Sequence, residues 1–122
     1  LSVSHSLNAS AFGWCDKPSQ IGVDIEVVER LSAQVLRRVC SLEELEACPY
    51  VPHLWTAKEA VFKSLQTENN LISNVEILDW RPKKEAEWFF TAKWRDREEH
   101  IKGIGFSCLK MDHSLSFFVH RP

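Results

Sequence analysis

The chain has 122 residues, 44% of them hydrophobic and 26% charged, with a formal net charge of -2. This length supports one domain with its own core, residues 1–122, rather than two that each close a core. So balanced a charge argues for neither nucleic acid nor an anionic membrane as partner, and no apolar run reaches the roughly 20 residues of a membrane-spanning helix.

Leu1 to Ser6 alternates apolar and small polar residues and reads as a strand, not as a signal peptide. Ala9 to Cys15 continues as a second strand after Asn8, and the two suggest a hairpin. Lys17 to Gln20 is turn chemistry. Ile21 to Glu26 alternates strictly, which predicts a strand with Val23 and Ile25 toward the core and Asp24 and Glu26 together on the other face. Leu31, Val35, Leu36 and Val39 recur at helical spacing behind Ser32 as N-cap, and Ser41-Leu42-Glu43-Glu44 is a capping box that opens a second helix. A third helix is predicted from Pro52 to about Leu65, with Leu54, Val61 and Leu65 on one stripe. Gln66 to Asn70 reads as a polar loop. Four strands follow, Val75 to Trp80, Glu87 to Trp94, Ile101 to Cys108 and Ser114 to His120, with turns at Arg81-Pro82, Asp96 to Glu99 and Met111 to His113. The expected class is α+β, an antiparallel sheet packed against helices. Cys15, Cys40, Cys48 and Cys108 form no C-x-x-C pair and no zinc spacing, which predicts reduced thiols and a cytoplasmic protein.

Three clusters carry more chemistry than a fold requires. Asp24 and Glu26 place two carboxylates about 6 to 7 Å apart on one strand face, a repulsion of about 2 to 3 kcal/mol at an effective dielectric near 20. The pair is either a solvated strand face or part of a Mg²⁺ site, since Mg²⁺ takes one or two carboxylates plus phosphates and waters. Glu59 and Lys63, at i and i+4, share a helix face with Trp55 one turn earlier. They read as a surface ion pair or as a half-buried acid and base able to hold a metal, accept a proton or neutralise a phosphate. Lys58 points to another side of that helix. In Ser4-His5-Ser6 the histidine is a satisfied half-buried residue or a phosphate ligand.

In this order and at these separations, Ser4-His5-Ser6, Gly22-Val23-Asp24-Ile25-Glu26 and Trp55-Thr56-Ala57-Lys58-Glu59-Ala60-Val61-Phe62-Lys63 resemble the 4′-phosphopantetheinyl transferase superfamily. The motifs are similar to its surfactin-synthetase-activating type, and the chain length to its holo-acyl-carrier-protein synthase type. The resemblance implies a single pseudo-repeat unit of that fold, and transfer of 4′-phosphopantetheine from coenzyme A to a serine of an apo acyl or peptidyl carrier protein, with release of 3′,5′-ADP. By resemblance Asp24, Glu26 and Glu59 bind Mg²⁺, Glu59 and Lys63 are catalytic, and His5, Ser4, Lys63 and Lys58 contact coenzyme A. Glu44 is a further candidate, its capping role being the alternative. Fatty-acid, polyketide and nonribosomal peptide synthesis are the pathways implied. Self-association is expected to complete the site, as a trimer before a dimer. Beyond Lys63, where the family usually shows a glycine-rich stretch, the chain reads Ser64 to Asn70. That departure keeps open a non-catalytic module that binds coenzyme A or a carrier protein.

Overall fold

Antiparallel pairing organises the computed structural model, which describes residues 1–65, 71–97 and 99–122, apart from the side chains of Arg30 and Ala33. The strands are β1 (Ser2–Ser6), β2 (Ala9–Gly13), β3 (Gln20–Val27), β4 (Val75–Lys84), β5 (Glu87–Trp94), β6 (Glu99–Lys110) and β7 (His113–His120). The helices are α1 (Ala33–Leu36), α2 (Leu42–Ala47) and α3 (Val51–Leu65). β1 and β2 form a hairpin, and the remaining strands form one sheet in the order β3-β7-β6-β5-β4. The class is therefore α+β as expected, and the four strands of the second half form an antiparallel meander.

α3 lies across one face of that sheet. Its apolar stripe of Leu54, Val61 and Leu65 joins Leu36, Val75, Ile77, Phe90, Ala92, Trp94, Ile101 and Phe118 in the core. The helix sits close because Gly22 has no side chain: a Cβ there would stand 1.8 Å from the Ala60 carbonyl oxygen. The backbone of α3 thus meets the backbone of β3, and the side chains next to Gly22 on that face, Asp24 and Glu26, are carried under the helix.

Val23 and Ile25 are buried as expected, with Asp24 and Glu26 together on the other face, but it is the acidic face and not the apolar one that meets the helix. Val23, Ile25 and Val27 are buried on the opposite face, outside the main core cluster, under the hairpin, where Gly13 of β2 packs on Ile21 and Val23. Both faces of β3 are covered, so alternation told the two sets apart without telling which one meets the helix.

Two further expectations change. The helix behind Ser32 is only one turn: past Leu36 the chain continues in tighter turns, with Arg38 N donating to the Val35 carbonyl and Val39 N to that of Leu36. The capping box itself forms, with Glu44 N donating to Ser41 Oγ and Ser41 N donating to Glu44 Oε1. Arg81-Pro82 is not a turn; β4 runs through it with register shifts, and the turn comes at Glu85 and Ala86. β4 is an edge strand, where a proline removes no needed ladder bond. The loop expected over Gln66 to Asn70 lies outside the described residues. No described helix is long and apolar enough to cross a membrane, and all four cysteines are free thiols.

Candidate active site

Asp24 lies in the middle of β3, opposite Ser116 of β7, and is only 3% exposed. Its Oδ1 accepts hydrogen bonds from Lys63 Nζ at 3.1 Å and Ser4 Oγ at 3.0 Å. Its Oδ2 is buried and has no partner among the described residues. Lys63 reaches down from the last turn of α3 and also donates to the Val23 carbonyl at 3.0 Å. Burial pushes the Asp24 carboxyl above its usual range; Lys63, Ser4 and the Ile25 backbone pull the other way without cancelling it.

Glu59, one turn before Lys63, is half-buried, and its carboxyl is also raised. Desolvation is the main cause, the negative charges of Asp24 and Glu26 add to it, and Lys63 opposes it. Asp24, Glu26 and Glu59 therefore share one electrostatic neighbourhood between β3 and α3. Among the described residues no three His, Cys, Asp or Glu side chains are gathered into a ready metal cage. An incomplete protein shell is the usual arrangement for Mg²⁺, which keeps waters and substrate phosphates as ligands. The chemistry of the donors fits a hard cation: a buried carboxylate oxygen with no partner is costly, on the order of 1–3 kcal/mol or more, until something positive meets it.

The other expected site residues are placed elsewhere. His5 is exposed on the hairpin, its Nδ1 hydrogen-bonded to Ser10 Oγ at 3.0 Å, rather than half-buried. Ser4, its neighbour, points the other way, into β3. Lys58 is not an open cationic contact. It is fully buried and donates to both Glu44 oxygens at 2.8 Å and to the Val75 carbonyl. Glu44 also accepts from Ser41 N, Ile77 N and Arg95 Nη2. Both belong to an internal network that ties α2, α3 and β4 together, because Lys58 is turned about 100° around the helix from Glu59.

A polar seam runs under α3 that sequence reasoning missed. Thr56 Oγ1 is hydrogen-bonded to Ser114 Oγ (2.8 Å) and Ser116 Oγ (2.7 Å), Ser116 to Ser107 (2.6 Å), and Ser114 to His53 Nδ1 (2.6 Å). Ser114 and Ser116 stand directly opposite Glu26 and Asp24 in register. The signal was Ser114-x-Ser116 at strand spacing, a polar stripe on a face that also carries Phe118. Burial drives the His53 pKa down to about 4, so at neutral pH this seam carries no charge.

An acidic strand thus lies under a helix that carries both an acid and a lysine, Glu59 and Lys63. A family model for the 4′-phosphopantetheinyl transferase superfamily matches residues 20–116, most of the chain, and the protein belongs to that superfamily. The matched span contains Asp24, Glu26, Glu44, Lys58, Glu59 and Lys63, and the β1–β2 hairpin precedes it. No curated protein matches the chain significantly.

Proposed function

We propose that residues 1–122 act as one Mg²⁺-dependent domain that transfers 4′-phosphopantetheine from coenzyme A to a serine of an apo carrier protein. The observation that carries this reading is the buried Oδ2 of Asp24, without a partner among the described residues and under the helix that carries Glu59 and Lys63. Asp24, Glu26 and Glu59 would hold the ion. When bound, Mg²⁺ supplies charge neutralisation at the pyrophosphate of coenzyme A. Lys63, 31% exposed, is accessible enough to share its ammonium between Asp24 and a phosphate. His5, exposed on the hairpin, is available to a nucleotide phosphate, whereas Ser4 and Lys58 are committed to Asp24 and Glu44.

In the transfer, the carrier serine Oγ bonds to phosphorus as the pyrophosphate P–O bond breaks and 3′,5′-ADP departs. Such a displacement needs mainly positioning and charge neutralisation from the protein. The serine gives up its proton as the bond to phosphorus forms, and in this reading Glu59, half-buried on the same helix face as Lys63, accepts it. The reading includes a cytoplasmic location and self-association, a trimer before a dimer, which sedimentation measures. Support for the latter comes from apolar side chains left exposed on the hairpin and outer sheet face, among them Val3, Phe12 and Ile104.

Mass spectrometry of apo acyl and peptidyl carrier proteins incubated with the protein, Mg²⁺ and coenzyme A tests the proposal. The expected result is a mass gain of one phosphopantetheine on at least one carrier, lost when EDTA replaces Mg²⁺. Coenzyme A binding by calorimetry, with no mass gain and no 3′,5′-ADP from any carrier, would replace it with the non-catalytic module.

A further inference from the structure

The hairpin precedes the family-matched span, yet it reaches the carboxylates. Ser2, Ser4 and Ser6 accept hydrogen bonds from alternate amides of β3: Val23 N at 2.9 Å, Ile25 N at 3.0 Å and Val27 N at 3.0 Å. These amides lie on the side of β3 away from β7, so three hydroxyls stand in for the ladder that a further strand would supply. As covers for a strand edge the three serines are equivalent.

Ser4 differs in where its proton goes. Its Oγ is 3.0 Å from Asp24 Oδ1 and 3.5 Å from the Ile25 carbonyl, so the hydroxyl donates to the carboxylate. Its lone pair is held by Ile25 N, which fixes the oxygen in place. Lys63 donates to the same Oδ1. Two donors on one oxygen determine how the carboxylate is turned, and Oδ2 is left without a partner among the described residues.

We infer that Ser4 is a positioning residue: anchored by the backbone of β3, it holds Oδ1 of Asp24 so that Oδ2 faces the place of a divalent cation. The inference rests on the metal-binding reading above, and it ties the β1 strand to the metal site through Ser4, whereas His5 is read as a phosphate contact. Hydrogen-bond partners of ligating carboxylates set the geometry a metal meets, and losing one typically weakens binding.

The test is calorimetric titration of the metal-free protein with Mn²⁺ as probe, beside thermal unfolding of each variant. Ser4→Ala is expected to lower Mn²⁺ affinity about 10–100-fold, while Ser2→Ala and Ser6→Ala, which lose an equivalent edge contact, stay within about threefold of wild type. Ser4→Thr, which keeps the hydroxyl, is expected to restore binding relative to Ser4→Ala. The three alanine variants should lose similar thermal stability, since each removes one acceptor from β3. Equal Mn²⁺ affinity in Ser4→Ala and wild type would overturn the positioning role and leave the metal site standing. So would an equal loss in all three alanine variants, which would reduce Ser4 to an edge cover. Absence of Mn²⁺ binding by wild type would remove the metal reading itself.

Discussion

Two lysine–carboxylate clusters lie against α3, built from the same chemistry and finished differently. Around Glu44 every acceptor is used: Lys58 bridges both oxygens, Arg95 Nη2 approaches at 2.7 Å, and the amides of Ser41 and Ile77 complete the set. Around Asp24 one oxygen accepts from two donors and the other has none among the described residues, with a second raised carboxyl, Glu59, in its electrostatic neighbourhood. A saturated buried pair serves to fix one arrangement of helices and strand. An unsaturated one carries an electrostatic cost that the fold does not need, and such costs gather where a ligand removes them.

The largest effect that separates the clusters is on activity. Asp24→Ala and Glu59→Ala are each expected to abolish Mg²⁺-dependent loading of a carrier protein while leaving the circular dichroism spectrum native. Full activity in either variant, read by carrier mass, would show that the open cluster is not the site. At the closed cluster the effect is on folding. Glu44→Ala leaves Lys58 buried without its counter-ion, which is expected to destabilise the protein by about 3–5 kcal/mol in chemical denaturation. A loss comparable to that of a surface substitution would mean that the network is hydrated after all.

Smaller effects test the sign of the difference. Because Glu59 is raised by burial and by Asp24, removing its charge should help the metal-free fold: Glu59→Gln is expected to raise Tm by a few degrees, as roughly 0.5–1 kcal/mol does in a chain of this size. A lower Tm would show that its ionised form is stabilised, contrary to its surroundings. The pH dependence follows the same logic. A carboxyl raised in the folded state binds its proton more tightly there than in the unfolded chain, so its contribution is most favourable below the ordinary carboxylate range. That contribution falls as pH rises through the raised value. The stability advantage of Glu59→Gln over wild type should therefore be smallest in acid and grow toward neutral pH, measured by urea denaturation of both proteins at a series of pH values.

Much of the open cluster was legible in the residues. Alternation places Asp24 and Glu26 on one strand face, and i, i+4 spacing places Glu59 and Lys63 on one helix face. Ser41 to Glu44 announced a capping box, and one formed. The strands of the second half read correctly apart from their ends, since turn residues and apolar alternation are local signals. The role of Lys58 was not legible, because its partner Glu44 is brought to it by the packing of α2 on α3 and β4. Nor was the role of Ser4, whose motif neighbour His5 is the more reactive side chain and turns away from Asp24.

Local chemistry was thus enough for the strand and helix identities, the pairing of acids and bases within each element, and the family, because each rests on spacing along one segment. The facing of β3 depended on packing. A strand covered on both sides has no polar face to mark the outside, and only the approach of α3 over Gly22 turned Asp24 and Glu26 inward. The same helix carries Lys58 into a sealed ion pair with Glu44 and leaves Glu59, adjacent in the chain, half-buried near Asp24 and Lys63. Burial and hydrogen-bond saturation are properties of neighbours distant in sequence, and they decided which of the two charged clusters is saturated and which keeps an acceptor without a partner among the described residues.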